Sequence, residues 1–181
     1  MHITLDGFAA GPNGEMNWIK LDDEMFDFVK AFTDKADMAL YGRKTWEMMD
    51  SYWPTAGSKP DATTHDREHS EWYNRVDKIV LSKTHQGKNI GKTTFLDDNI
   101  AERLKQIKAQ KGKDIMIFGS PGASQILIQN NLIDEYWLFV NSVILGGGIR
   151  LFPTLDKPAS LKLNSSKLFS CGVIALNYLA A

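Results

Sequence analysis

Short apolar segments alternate with helical segments through much of the chain, and this order constrains the fold more than any other feature. Residues 38–41, 79–81 and 115–118 have the length and composition of buried strands. Helical spacing of apolar residues separates them, and further strands follow one another after residue 136. This order predicts an α/β fold, with a mixed sheet covered by helices on both faces and a C-terminal antiparallel hairpin. We expect a single domain spanning residues 1–181.

Several local predictions place the helices. A helix over Ile100–Lys108 has Asn99 as its expected cap, with Glu102 at the reciprocal position of a capping box. A short helix over residues 44–49 is expected after Gly42, and polar turn formers predict a loop over residues 54–65. The strand over residues 115–118 is expected to be fully buried.

Composition excludes several classes of protein. The 181 residues carry a formal net charge of −1, and the lysines and arginines are scattered along the sequence. Because nucleic-acid binding usually needs a concentrated basic face, no nucleic-acid partner is expected. The sequence also lacks a run of about 18 apolar residues, so no membrane segment is expected. A single cysteine, Cys171, cannot form an internal disulfide, which fits a cytoplasmic location.

Two strand–glycine–helix junctions are candidate binding elements. The first consists of Gly42, Arg43, Lys44 and Thr45, and the second of Gly119, Ser120, Pro121, Gly122, Ala123 and Ser124. A helix N-terminus presents unpaired backbone N–H groups and a partial positive charge, and glycine lets a phosphate approach the backbone closely. Tight turns with solvated cations would give the same pattern, and each junction alone favours that simpler interpretation.

A third strand end, at Leu81, is followed by Ser82, Lys83 and Thr84. Its hydroxyl and ammonium groups suit a ribose phosphate, although an ordinary exposed strand end would look the same. Three such ends in one open sheet indicate an anionic small molecule beyond the carboxyl ends of the strands. Gly146 and Gly147 follow another strand and mark either a flexible turn or a place where a ligand meets bare backbone.

His65 and His69 are spaced by four residues in a helical stretch. A structural zinc site needs about four ligands, and nothing in the sequence completes such a set. No metal is therefore predicted, and a solvated polar face is the preferred interpretation of the two histidines. Cys171 is interpreted as a packing residue, because neither a histidine nor a helix start pairs with it.

Six segments, in this order and spacing, make the chain resemble the dihydrofolate-reductase-fold family, in the branch related to the reductase domain of bacterial riboflavin biosynthesis. They are TLDGFAAGP and on to the tryptophan at position 18, GRKTWE at 42–47, VLSKT at 80–84, IFGS at 117–120, LIDEY at 132–136 and LGGGIRLF at 145–152. Each segment alone is weak evidence for the family. The six together are specific for the family, though not for a substrate.

The resemblance implies a three-layer dihydrofolate-reductase-like fold with a central, mostly parallel sheet and NADPH across the strand ends. Residues 42–45 would hold phosphates, with Arg43 near the 2′-phosphate, and residues 81–83 would line the adenosine side. Residues 119–124 would cradle the pyrophosphate, and residues 146–147 would lie near the nicotinamide. The loop over residues 6–18 would close over the nicotinamide.

The departures from the family concern the substrate and the proton source. Phe118 stands where riboflavin reductases commonly carry an acidic residue, which counts against a ribosylaminouracil substrate. Asp6 and Asp23 are the candidate proton donors, alongside a bound water, and Asp23 is more readily explained as a helix N-cap. Trp18 and Trp53 are candidate substrate-binding residues, although large aromatic side chains more often belong to the core.

The leading hypothesis is an NADPH-dependent reductase of a small conjugated or carbonyl-bearing molecule. The alternative is a nucleotide-binding or regulatory protein of the same fold that has lost turnover. A purely structural domain would leave the glycine–cation junctions unexplained. By resemblance a homodimer is expected, formed through late strands that offer Tyr136, Trp137 and Phe139, which could equally be interior.

Overall fold

The strands of this chain form three hydrogen-bonded sheets in the computed structural model, which describes residues 1–85 and 89–181. In chain order the elements are β1 (His2–Thr4), β2 (Phe8–Ala10), α1 (Asp23–Thr33), β3 (Ala36–Gly42), α2 (Arg43–Ala56), α3 (Thr64–Arg75), β4 (Asp77–Leu81), β5 (Asn89–Ile90), β6 (Thr93–Leu96), α4 (Ile100–Lys108), β7 (Asp114–Ile117), α5 (Pro121–Gln129), β8 (Glu135–Asn141), β9 (Ile149–Arg150), β10 (Leu161–Leu168) and β11 (Ile174–Ala180). Among the described helices, none is both long enough and apolar enough to span a membrane. The chain divides into two units, which we call unit 1 (Met1–Met25 and Pro121–Ala181) and unit 2 (Phe26–Ser120).

Unit 2 is built on a five-stranded sheet in the order β5–β6–β4–β3–β7. Only the short β5 runs antiparallel to its neighbour, so the carboxyl ends of β6, β4, β3 and β7 lie along one edge. The core of this unit is strongly aromatic, with Tyr41, Trp46, Trp72, Tyr73 and Phe95 all buried. Helix α2 follows β3 without an intervening loop, which fixes its N-terminus at that edge.

Unit 1 holds a four-stranded sheet in the order β1–β8–β11–β10. Strands β10 and β11 pair antiparallel from Leu161 opposite Ala180 to Leu168 opposite Ile174, which confirms the predicted C-terminal hairpin. Strand β11 also pairs antiparallel with β8, and β1 pairs with β8 in parallel. Phe139 of β8 is buried and its ring stacks on that of Phe169, so Phe139 is an interior residue.

The short strands β2 and β9 pair next to a backbone position that only glycine can occupy. Gly148 has a φ of 143°, and a β-carbon there would overlap the carbonyl oxygen of Ala10. Gly148 therefore allows the close approach of residues 10–11 to the 146–148 segment.

The α/β fold class is confirmed, but α2 is longer than predicted. It continues through Pro54 to Ala56, so the predicted loop over residues 54–65 shrinks to residues 57–63. Two carbonyls near the end of α2 accept hydrogen bonds from α3. Ser70 Oγ donates to Trp53 O at 2.7 Å, and Asn74 Nδ2 donates to Pro54 O at 3.1 Å. This support from α3 stabilises a last turn that sequence alone assigns to a loop.

Helix α4 has its predicted bounds, but the predicted capping box is wrong. Asn99 has a left-handed backbone, with a φ of 44°, and its side chain makes no capping hydrogen bond. Glu102 pairs instead with Lys105 Nζ at 2.9 Å. A capping residue normally has an extended backbone, and the left-handed conformation prevents this geometry. The strand over residues 115–118 is also half-buried rather than fully buried.

Candidate functional site

The junction between β3 and α2 lies at the edge of the unit 2 sheet where the carboxyl ends of the parallel strands meet. Gly42 is the N-cap of α2, and no side chain in the described part of the chain caps this helix. The first-turn amides of Arg43, Lys44 and Thr45 point out of the helix start with no helical partner. The first turn contains no acidic residue and two cationic ones. This arrangement favours an anion.

The structure brings this junction against the end of the neighbouring strand β7. The Gly42 amide donates a hydrogen bond to Ser120 Oγ at 2.9 Å, although the two residues are 78 positions apart. Gly119 and Ser120 both have left-handed backbones, with φ of 58° and 59°. Ser120 is buried. The turn therefore places the Ser120 hydroxyl directly at the N-cap of α2.

The end of β4 adds polar side chains on the other side of β3. Ser82 is buried, and its Oγ lies 3.3 Å from Thr84 Oγ1 and 3.2 Å from His85 Nδ1. Lys83 is exposed. The His85 ring stacks on Phe95 with 4.8 Å between ring centroids. His85 was missed at the sequence level, because nothing in its spacing separates it from an ordinary loop histidine.

Arg43 is held by a carboxylate one turn further along α2. Its Nη1 lies 2.7 Å from Glu47 Oε1 and 2.9 Å from Oε2. Both side chains are more than a third exposed, so the pair contributes little to stability. It does orient the guanidinium, and only one of its terminal nitrogens is used in this contact.

The second predicted junction is divided between the two units. Gly119 and Ser120 end unit 2, whereas residues 121–124 form the first turn of α5 in unit 1. Ala123 and Ser124 are buried there, while Gly122 is exposed. A ligand role for residues 121–124 stays a prediction.

In unit 1, Asp6 anchors the segment that carries Gly146. Its carboxylate accepts hydrogen bonds from Thr4 Oγ1 at 2.6 Å, from the Gly146 amide at 2.7 Å and from the Leu145 amide at 3.2 Å. The Thr4 hydrogen bond, followed by those from the two amides, lowers the pKa of Asp6. An ionised carboxylate that accepts three hydrogen bonds is better suited to hold a loop than to donate a proton. The predicted catalytic role of Asp6 is not favoured by this geometry.

The prediction that Asp23 caps α1 is wrong by one residue. Asp22 Oδ1 accepts a hydrogen bond from the Met25 amide at 2.8 Å, the geometry of an N-cap. Its Oδ2 accepts from Ser170 Oγ at 2.9 Å and from the Cys171 amide at 3.2 Å. Asp23 is exposed in the first turn, and its role as a proton donor stays a prediction.

The two candidate substrate tryptophans differ in their surroundings. Trp18 of unit 1 is half-buried, and its Nε1 donates to the Glu15 carbonyl at 3.1 Å. Trp53 of unit 2 is half-buried and packs on His69, with 4.0 Å between ring centroids. A substrate-binding role for either tryptophan stays a prediction.

The expected solvated face around His65 and His69 is also wrong. His69 is buried, at 8% exposure, and His65 is half-buried with its ring stacked on Phe26. Both histidines lie near aromatic side chains because Trp72, which belongs to the same helix, is buried in the core. Within residues 1–85 and 89–181, no group of three or more His, Cys, Asp or Glu side chains is placed to hold a metal ion.

Comparisons with known proteins agree with this architecture. A family model for the RibD C-terminal domain matches residues 1–175. The uncharacterized protein YyaP of Bacillus subtilis (strain 168) is 34% identical over 179 residues, which cover 97% of this chain and 90% of YyaP.

Two solved structures share the fold. A putative riboflavin biosynthesis protein from Shewanella sp. PV-4 has a TM-score of 0.73 at 21% identity, covering 100% of this chain and 96% of its own. Dihydrofolate reductase from Enterococcus faecalis, in a complex with NADP(H) and RAB-propyl, has a TM-score of 0.58 at 15% identity, covering 98% of this chain and 89% of its own. On the family match over residues 1–175, the chain belongs to the RibD C-terminal domain family.

Proposed function

We propose that the chain is an NADPH-dependent reductase of a small conjugated or heterocyclic substrate. The observation that carries this proposal is the contact between the Gly42 amide and Ser120 Oγ, which joins two glycine-containing strand ends at the uncapped start of α2. A dinucleotide needs such a place for its phosphates, with free amides and cations beside a turn that admits close approach.

The side chains present fit the phosphorylated form of the cofactor. Arg43 and Lys44 supply two positive charges in the first turn of α2, and Ser82 and Lys83 follow the neighbouring strand. We assign Arg43 to the 2′-phosphate, since a guanidinium binds phosphate through charge-assisted hydrogen bonds. The similarity in fold to a dihydrofolate reductase in a complex with NADP(H) supports the same cofactor.

When bound, the nicotinamide supplies the hydride, and the protein has to position and desolvate the two reactants. In unit 2 the α2 amides and Arg43 would fix the phosphate end, with Ser120 holding the Gly42 backbone in place. In unit 1 Asp6 holds the backbone at Gly146 by a 2.7 Å hydrogen bond. Holding Gly146 does not require Asp6 to change its protonation state.

A titration with NADPH and, separately, NADH, followed by tryptophan fluorescence, tests the cofactor assignment. We expect saturable binding with a preference for NADPH, and Arg43→Ala should weaken NADPH binding about tenfold while changing NADH binding little. Arg75→Ala is the matched control, because Arg75 ends α3 just before the amino end of β4, at the opposite edge of the sheet. Failure of the wild-type protein to bind either nucleotide would reject the proposal.

A second candidate function is a nucleotide-binding protein without turnover. The observation that favours it is the engagement of Asp6 by three hydrogen-bond donors, which suits this carboxylate to holding the segment at Leu145 and Gly146. This alternative predicts the same nucleotide binding but no oxidation of NADPH with any member of a panel of carbonyl and heterocyclic substrates. Oxidation of NADPH with any of these substrates would favour the reductase.

A further inference from the structure

Asn13 and Gly14 form the single Asn–Gly sequence of the chain, and both residues are exposed on unit 1. Gly14 has a backbone φ of 91°, and beyond its chain neighbours no atom of a described residue lies within 4 Å of the place that a β-carbon would take. The backbone nitrogen that follows an asparagine can attack the side-chain amide, and glycine at that position offers no steric obstacle. This pair is therefore a candidate site of chemical modification.

The Asn13 side chain has one partner among the described residues, the carboxylate of Glu15. Nδ2 of Asn13 donates to Glu15 Oε1 at 2.7 Å, and the Asn13 backbone amide donates to Glu15 Oε2 at 2.9 Å. The carboxylate lies against Gly11, where a β-carbon would overlap it. We call this pair of hydrogen bonds the Glu15 clasp. Because both are exposed, water competes for them, and the clasp can open without unfolding of the core.

The Gly14 amide closes a turn over residues 11–14, since it donates to the Gly11 carbonyl at 3.0 Å. Attack on Asn13 requires the Gly14 nitrogen to leave this hydrogen bond, and it requires the Asn13 side chain to leave Glu15. The folded loop therefore protects Asn13, and this protection rests on a few hydrogen bonds within residues 11–15.

We propose that Asn13 is a site of spontaneous deamidation through a cyclic imide with Gly14, at a rate set by the Glu15 clasp. After the Gly14 nitrogen gives its proton to solvent, it forms a bond to Asn13 Cγ, the Cγ–Nδ2 bond breaks, and Nδ2 takes a proton from solvent and leaves as ammonia. Water then opens the imide at either carbonyl, which leaves an aspartate or an isoaspartate at position 13. No oxidant or reductant is needed. The proposal does not rest on the proposed function, since the reaction involves no cofactor.

The product is expected to keep the clasp open. The hydrogen bond from the Asn13 side chain, followed by those from the backbone amides of Glu15 and Asn13, lowers the pKa of Glu15, so its carboxylate is ionised at neutral pH. A second carboxylate at position 13 would repel it and would offer no N–H donor. The Glu15 carbonyl also accepts from the Gly11 amide at 2.9 Å and from Trp18 Nε1 at 3.1 Å. Deamidation should therefore loosen the segment over residues 11–18.

Peptide mapping by mass spectrometry, with separation of aspartate from isoaspartate, tests the proposal on the full chain incubated at neutral pH. The wild type is compared with Glu15→Ala, which removes the clasp, and with Glu15→Gln, which keeps an oxygen acceptor without the charge. Glu102→Ala is the matched control, because Glu102 is an exposed carboxylate of unit 2 that pairs with Lys105. Asn164, which is exposed, and Asn141, which is buried, are both followed by serine and serve as references in each digest.

We expect Asn13 to deamidate faster than Asn164 or Asn141 in the wild type, and Glu15→Ala to raise the Asn13 rate about fivefold. Glu15→Gln should raise it less, and Glu102→Ala should leave it unchanged. An Asn13 that stays intact, or that reacts no faster than Asn164, would overturn the assignment of the site. An equal rate in the wild type and Glu15→Ala, or a rise that is matched at buried Asn141 and so reports general unfolding, would overturn the role of the clasp.

Asn13→Asp represents one product of the reaction and tests its effect on the loop. Its tryptophan emission should shift to longer wavelength than that of the wild type, and the shift should vanish in a Trp18→Phe background. Asn130→Asp, an exposed change directly after α5 in unit 1, is the control and should leave the emission unchanged. Identical emission of Asn13→Asp and the wild type would contradict the predicted loosening.

Discussion

Units 1 and 2 differ in how completely their buried polar side chains are paired. In unit 1 the fully buried amides of Asn141 and Asn177 are bonded to backbone and side-chain partners. In unit 2 three buried side-chain atoms lack any partner within the described residues, namely Tyr41 Oη, Trp46 Nε1 and His69 Nε2. Among the described residues, the three unpartnered buried atoms all belong to unit 2, although other polar groups of that unit, such as Ser70 Oγ, are paired.

The backbone amides in the proposed binding segments of the two units differ in the same way. In unit 1 the amides of Leu145 and Gly146 are satisfied by Asp6. In unit 2 the start of α2 has no side-chain cap in the described part of the chain. Unpaired backbone amides at a helix start can bind an anion, whereas amides that are already paired cannot. The difference identifies unit 2 as the place to look for ligand contacts.

The largest expected effect is the loss of stability when a paired, buried side chain of unit 1 is replaced. The Asn141 side chain accepts a hydrogen bond from the Lys20 amide at 2.9 Å and donates to the Phe139 carbonyl at 3.1 Å. Asn141→Leu should therefore lower the free energy of unfolding by about 3 kcal/mol, because it leaves buried groups unpaired. Chemical denaturation measures this loss. Tyr41→Phe, which removes an atom that has no partner, should stay within about 1 kcal/mol of the wild type, and equal losses in the two variants would remove the distinction between the units.

A smaller effect, on NADPH binding, is expected at the contact between the ends of β3 and β7 in unit 2. Ser120→Ala and Ser120→Gly both remove the acceptor for the Gly42 amide, and each should weaken NADPH binding about tenfold if that contact orders the site. Glycine tolerates the left-handed backbone at this position, so agreement between the two variants excludes backbone strain as the cause. Ser51→Ala, an exposed change on α2, serves as the control in the same titration.

The glycine junctions and the strands were predictable from the sequence because they depend on local patterns. Residues 38–41 lie within β3, α4 has its predicted bounds, and the terminal hairpin pairs as expected. The end of α2 was not predictable, since its last carbonyls are satisfied by Ser70 and Asn74 of another helix. The burial of His69 also depends on contacts with Trp53 and Phe118, which are distant in sequence. Local spacing could place the two histidines on one face but could not tell which face meets the core.

A further test concerns the selectivity of the proposed cofactor site. Glu47 holds one terminal nitrogen of Arg43 and adds a negative charge close to the expected 2′-phosphate. Glu47→Gln should raise the preference for NADPH over NADH about threefold, a small effect because both side chains are exposed. The ratio of the two dissociation constants measures it. In an Arg43→Ala background the same change should have no effect, and an unchanged effect there would show that Glu47 does not act through Arg43.

The smallest expected effect is the acid response of unit 1. Hydrogen bonds from Thr4 and the two amides hold the pKa of Asp6 below its ordinary value of 3.8. Ionised Asp6 therefore stabilises the folded state above about pH 4, and this contribution is lost as the pH falls through the lowered pKa. Asp6→Asn should have a lower Tm than the wild type near pH 7 and a smaller further loss near pH 3. Parallel Tm curves for the two proteins would contradict the assigned role of Asp6.

Hydrogen exchange of the backbone amides with and without saturating NADPH is the most direct test of the claim that unit 2 holds the unpaired binding groups. We expect new protection at residues 42–46 and 119–120, with little change at the amino ends of β3 and β4, where no ligand contact is proposed. Unchanged exchange at residues 42–46 and 119–120, with nucleotide bound, would contradict it.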